Sequence, residues 1–219
     1  KDGQYRMAIP LYKELCKLRP KDPDMYVELG DCYIRSNFSN DAITCYAKAV
    51  EMTHRQKPEF AQEIQRKVCN LKPADLSERV RLAEILEHAN WSEKSSEEWS
   101  NLAAISRKIG KPDDQAIFLE RALAVRDHWT LRRDAARARL DSGDSRKALE
   151  ILKPIYKTHS GDADVCMLLA EGLQKLKKVQ QASKVWLQAA DICIEQRRYD
   201  DLLVCYRSAQ ACGVQDPDI

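Results

Sequence analysis

The sequence predicts an all-α chain of about twelve antiparallel helices, and three observations carry that prediction. Aliphatic residues, Ala, Glu, Lys and Arg dominate, while the 219 residues include only 7 Gly and 8 Pro, a composition suited to helices. Apolar residues recur at i, i+3, i+4 and i+7, the spacing of one helical face. The pattern itself returns after about 34 residues, the mark of a stacked repeat array. Apolar residues make up 44 % of the chain and charged ones 32 %, so there is enough apolar surface to bury and enough charge to solvate the rest.

Residues 1–22 place Gly3, Tyr5, Ala8 and Tyr12 along one helical pattern that stops at Pro20, so the chain opens inside a hairpin. Residues 23–56 carry the clearest unit. Tyr26, Leu29 and Tyr33 share a face; Gly30 leaves room there for a neighbouring helix; Ala42, Tyr46 and Ala49 mark the second helix. The stretch Tyr26-Val27-Glu28-Leu29-Gly30-Asp31-Cys32-Tyr33 resembles the W-x2-L-G-x2-Y opening of a tetratricopeptide repeat, and Ala42-x3-Tyr46 resembles its A-x3-F second helix. The resemblance implies a right-handed superhelical solenoid of such hairpins. One hairpin cannot cover its own apolar stripe, so neighbours stack.

The same frame recurs downstream with an irregular middle segment. Residues 57–95 form a degenerate hairpin with one helical pattern ending before Lys72-Pro73 and another from Leu76 to about His88, with Ser77 and Glu78 where a helix could start. A looser repeat spans 96–128 on Trp99, Leu102, Ala103, Gly110 and Ala122. The next spans 129–162, with Gly143-Asp144, Ala148 and Leu152, and abuts 163–196, with Leu169, Ala170, Leu173, Ala182, Trp186 and Ala189. Residues 197–219 complete the array with a terminal helix and tail. Trp99 also fits the second helix of a repeat starting near Leu76, and Trp186 has a similar double register with Tyr199, Tyr206 and Ala209. Helices near 93–109 and 179–196 are therefore expected to serve two neighbours. Turn signals at 20–23, 110–113, 141–144 and 160–162 are too short for interdomain linkers. The chain reads as a single array, 1–219, and as a piece of a longer protein, since it starts at Lys1 without Met.

Catalytic spacing is not found. The eight cysteines form no C-x-x-C pair, so they read as partly buried thiols of an intracellular, reducing compartment, cytoplasmic or nuclear. His54, His88, His128 and His159 fall near helix ends in different hairpins, away from any H-E-x-x-H arrangement. There is no G-x-S-x-G, P-loop or G-x-G-x-x-G. The expectation is a protein that is not an enzyme, with no metal and no cofactor. The formal charge of +2 is spread over mixed signs, which argues against nucleic acid, and no apolar run reaches the roughly 18 residues of a membrane span. Trp99 and Trp186 read as core. Trp91, in a turn, and Trp129, at a helix start, read as edge packing or as exposed anchors for a partner.

The resemblance implies that the first helix of each hairpin lines a concave groove that takes a protein or peptide. Carried over, that face holds Asp24, Val27, Asp31, Ile34 and Arg35 in 23–56, and Ser100, Ala104, Arg107 and Lys108 in the looser repeat. It continues with Thr130, Arg133, Arg137, Leu140 and Asp141, then Asp164, Met167, Glu171, Gln174 and Lys175. One branch of the family grips chaperone C-termini with Lys and Asn; Val27 and Asp31 stand at those positions here, against such a clamp. The candidate partner-binding residues are Arg133, Arg137, Arg107, Lys108, Lys175, Asp31 and Arg35. Arg133 and Arg137 lie at i, i+4, and two like charges at that spacing need a counter-charge. An acidic peptide supplies one; pairing inside the chain with Asp134, Asp141 or Asp164 supplies another. The function expected is a protein-protein interaction scaffold within a larger assembly. The alternatives are an RNA-binding helical solenoid, disfavoured by Asp24, Asp31 and Glu171 on the same face, and a regulatory array of a larger enzyme. Self-association through exposed end hairpins is a further expectation.

Overall fold

The computed structural model describes residues 2–213, and these form twelve α-helices with no strand among them. In chain order they are α1 (Asp2–Leu18), α2 (Pro23–Arg35), α3 (Ser39–Thr53), α4 (Pro58–Leu71), α5 (Leu76–His88) and α6 (Ser92–Lys108). Then come α7 (Pro112–Val125), α8 (Trp129–Asp141), α9 (Ser145–Thr158), α10 (Ala163–Lys175), α11 (Val179–Glu195) and α12 (Tyr199–Ala211). The tail at 214–219 lies outside the described residues. Packing separates two units, with the division between Leu102 and Ala103, inside α6.

Local chemistry explains where helices begin. Pro23, Pro58 and Pro112 occupy first-turn positions, where a missing N–H costs nothing. Asp22, Asp75, Asp144 and Asp162 cap α2, α5, α9 and α10, each carboxylate accepting a backbone N–H of the first turn at 3.0–3.2 Å. The capping atom of α5 is thus on Asp75, ahead of the Ser77 and Glu78 that the sequence suggested. Several helices end on a residue in the left-handed region. Gly110 and Gly143 do so without strain, whereas Asn37, Asn90, Lys177 and Arg197 do so with φ of 58–65°.

In the first unit, Tyr26, Leu29 and Tyr33 of α2 pack with Ala42, Tyr46, Ala49 and Val50 of α3 and with Ala61, Ile64 and Val68 of α4. Gly30 is the close-approach point: a Cβ there would lie 2.5 Å from Tyr46 Cε1. The segment that looked degenerate in the sequence has a polar interior. Gln65, fully buried on α4, donates from Nε2 to the Glu78 carbonyl and carboxylate on α5, both at 2.9 Å. Arg79 pairs with the buried Glu98 of α6 at 3.0 Å. Polar side chains inside the packing break the apolar periodicity that sequence reading relies on.

In the second unit, Leu140, Ala148, Leu149 and Leu152 of α8 and α9 meet Leu169, Leu173, Trp186 and Ala189 of α10 and α11. Cys193, Cys205 and Ala209 continue this core onto α12. The helix α11 packs against both α10 and α12, as its double register requires. Trp99 and Trp186 are 2 % and 5 % exposed. Each indole N–H donates to an oxygen twelve positions back, Glu87 at 3.3 Å and Gln174 at 3.2 Å. The four histidines sit at helix ends, as caps or last residues. No described helix is long and apolar enough to cross a membrane.

Candidate functional site

The residues expected from the sequence to face a partner fall in three places. On α2, Asp31 accepts a hydrogen bond from the Tyr46 hydroxyl and two contacts from Lys67 Nζ, at 3.1 and 3.3 Å. This ties α2 to α3 and α4. Burial, first, and the Asp31 carboxylate, second, push the Tyr46 phenol well above its usual range. Arg35 donates to the Tyr5 hydroxyl and holds its guanidinium 4.6 Å from that ring's centroid, joining α2 to α1. Arg107 and Lys108 lie exposed in the last turn of α6, where positive charge suits the helix dipole.

Arg133, Arg137 and Lys175 come together on α8 and α10. Arg133 reaches Asp134 at 3.2 Å and Asp164 at 3.6 Å. Arg137 reaches Glu171 at 3.3 Å, and Lys175 reaches the same carboxylate at 2.9 Å while donating to the Leu140 carbonyl at 3.0 Å. Arg198, the N-cap residue of α12, extends the row to Asp164 and Asp201, both at 2.7 Å. The Asp164 hydrogen bond raises the Arg198 pKa further above its already high value. Of the counter-charges weighed from the sequence, Asp134 and Asp164 are engaged; Glu171 takes the role weighed for Asp141.

Other arginines of this hairpin serve structure. Arg139 is buried and grips Glu120 of α7 through two N–H···O contacts of 2.6 Å, and that pair raises the Arg139 pKa. Arg132 folds back on Asp127, and the hydrogen bond lowers the Asp127 pKa. Trp129 stacks on His159 with centroids 4.5 Å apart, under the Arg133 guanidinium. Among the described residues, no group of three or more His, Cys, Asp or Glu is placed to hold a metal ion.

Sequence reasoning missed Lys67, Arg198 and Glu171 as partners of the face. One signal was available. Opposite charges lie one repeat apart: Arg137 and Glu171 at equal positions of α8 and α10, and Asp164 at the start of α10 with Arg198 at the N-cap of α12, so they meet when these helices lie side by side.

Residues 23–53, covering α2 and α3, match the family model of the tetratricopeptide repeat. The chain carries a tetratricopeptide repeat. Its first helix holds the tyrosine-leucine-glycine-tyrosine face and its second helix the Ala42–Tyr46 pair, of which the Tyr46 ring fills the glycine notch. At the two positions where the chaperone-gripping branch has Lys and Asn, this tetratricopeptide repeat has a half-buried Val27 and an Asp31 already bound by Lys67.

Solved structures similar to the chain include MamA, at 16 % identity over 90 % of this chain and 87 % of that one, TM-score 0.42. YrrB, described as a TPR protein with an unusual peptide-binding site, has 15 % identity over 90 % and 97 %, TM-score 0.46. Yeast Tom70 has 13 % identity over 98 % and 60 %, TM-score 0.48. Similarity this low assigns no site to the chain. No curated protein sequence matches it.

Proposed function

We propose that the chain is a protein-protein interaction scaffold that binds a peptide or protein partner on the exposed face of its first helices, within a larger assembly. The observation that carries this reading is the row on α8 and α10. Arg133 and Arg137 are held by Asp164 and Glu171, yet their side chains remain 27 % and 45 % exposed. Cations fixed by neighbours and still open to solvent are preorganised for an acidic peptide, which competes for them with charge-assisted hydrogen bonds. Lys175 widens the row, and Arg107, Lys108, Asp31 and Arg35 belong to the same reading as further contacts.

The test is affinity capture with the chain, followed by mass spectrometry and measurement of the recovered partner's affinity. Reversing charge with Arg133→Glu/Arg137→Glu is expected to weaken binding by on the order of tenfold or more. Unchanged affinity would sink the assignment of the face. Self-association is a second reading, favoured by the exposed Met7, Leu11 and Leu18 of α1 and Tyr199, Leu203 and Val204 of α12.

A further inference from the structure

A second face of the first unit differs from the α8–α10 row in one respect: its charges are not spent on each other. An open cleft of about 570 Å³ is lined by Glu59, Gln62, Glu63 and Arg66 of α4 and by Trp91 and Lys94 at the start of α6. Trp91 is half-buried, with its ring packed against the cluster of Cys69, Leu82 and Leu86, so the indole is fixed by the core while part of it stays open. Glu59, Glu63 and Arg66 form no ion pair with any described residue. Glu59 and Glu63 stand at i, i+4, on one side of α4, and repel each other. Lys94 holds its ammonium 4.9 Å from the Trp91 ring centroid, so the ring face already receives a cation.

We propose that this cleft takes an arginine side chain of a partner peptide. The guanidinium lies over Trp91 in place of the Lys94 ammonium, and Glu59 and Glu63 accept its N–H groups. Arginine fits better than lysine because a planar guanidinium can stack on the indole and donate to two carboxylates at once. The cleft's own cations, Arg66 and Lys94, balance its two carboxylates, so the peptide that suits it carries an acidic group beside the arginine, for Arg66 to hold. Lys94 is exposed on a flexible stem and moves into solvent when displaced. A rigid aromatic anchor rimmed by polar groups is the arrangement that concentrates binding energy.

The inference rests on the reading of the chain as a peptide-binding scaffold, and the experiment separates the two. A phage-displayed library of random dodecapeptides is panned against the full chain. The strongest peptide is then synthesised and titrated by calorimetry against wild type, Trp91→Ala, Glu59→Gln/Glu63→Gln, Lys94→Ala and Arg133→Glu/Arg137→Glu. The cleft predicts an arginine in the enriched peptides and a loss on the order of tenfold in the Trp91 and Glu59/Glu63 variants. It also predicts a gain of a few-fold in Lys94→Ala, where the competing cation is gone. The Glu59/Glu63 variant keeps the test sound if Trp91→Ala unfolds, because both glutamates are exposed. Enriched peptides without a basic residue, or affinity indifferent to Glu59→Gln/Glu63→Gln, overturn the cleft. Binding lost only in the Arg133/Arg137 variant overturns it while sparing the scaffold reading, and a library that yields no binder overturns both.

Discussion

At Gly30 the packing leaves no space for a methyl group. A Cβ would stand 2.5 Å from Cε1 and 2.8 Å from Cδ1 of Tyr46, a buried ring whose hydroxyl is held by Asp31. The ring cannot swing away without losing that bond, so Gly30→Ala is expected to cost about 1–3 kcal/mol, read as a lower urea midpoint. A midpoint equal to wild type would mean the α2–α3 contact is looser than described. The thiols give a second prediction. Burial raises Cys45 and Cys166 to about 11 and Cys205 to about 12, from 9.0. A raised folded pKa favours the protonated native state, so this contribution is complete below about pH 9 and is lost as pH rises through the folded values. Urea unfolding is expected to show falling stability from about pH 9 to about pH 12, with Cys205→Ala flattening the slope; parallel slopes in the two proteins would contradict it.

Among the elements, the turns after α10 and α11 stand out. Lys177 and Arg197 sit at φ of 59° and 58°, a region that side chains with a Cβ enter at a cost. Nothing in the local sequence marks these stops, which have neither glycine nor proline. The stop is set by the neighbouring helices: α10 must end where Lys178 N–H can reach the Leu173 carbonyl at 2.9 Å and α11 can turn back onto Trp186 packing. Lys177→Gly relieves the strain while loosening the unfolded chain, and a net gain of about 0.5 kcal/mol is expected. A loss in thermal midpoint would show instead that the lysine side chain contributes to the native state. The helices α4 and α5 illustrate the opposite limit. Their span was legible from Pro73, Leu76 and His88, but their contact was not, because it runs through Gln65 and Glu78 in place of an apolar stripe.

Over the whole molecule, the first and last described helices expose apolar side chains. Leu11 and Leu18 of α1 are 68 % and 77 % exposed, and Leu203 and Val204 of α12 are 55 % and 50 % exposed. Helices in a stacked array bury such positions against the next hairpin, and the self-association proposed above would cover them with a second copy. Sedimentation velocity should show an average mass that climbs with concentration for wild type. It should stay at the monomer value when Leu11→Glu/Leu18→Glu is combined with Leu203→Glu/Val204→Glu. A wild-type protein that remains monomeric throughout would remove this reading.

The sequence by itself determined that the chain is helical, where most helices lie, and that 23–56 holds a repeat, because Tyr26, Leu29, Gly30 and Tyr33 act through short-range geometry that one helix turn encodes. It also located Arg133 and Arg137 on one side of α8. Which carboxylates meet them was decided only by the tertiary structure. Asp134 is a chain neighbour, but Asp164 and Glu171 come from a helix about one repeat away, and their distance depends on how α8 and α10 lie against each other. The Trp91 cleft was likewise invisible as a site, since its carboxylates on α4 and its indole before α6 are separated in the chain by the whole of α5. Spacing along a helix fixes direction, whereas contact between helices is a sum of packing over many residues that no local pattern records.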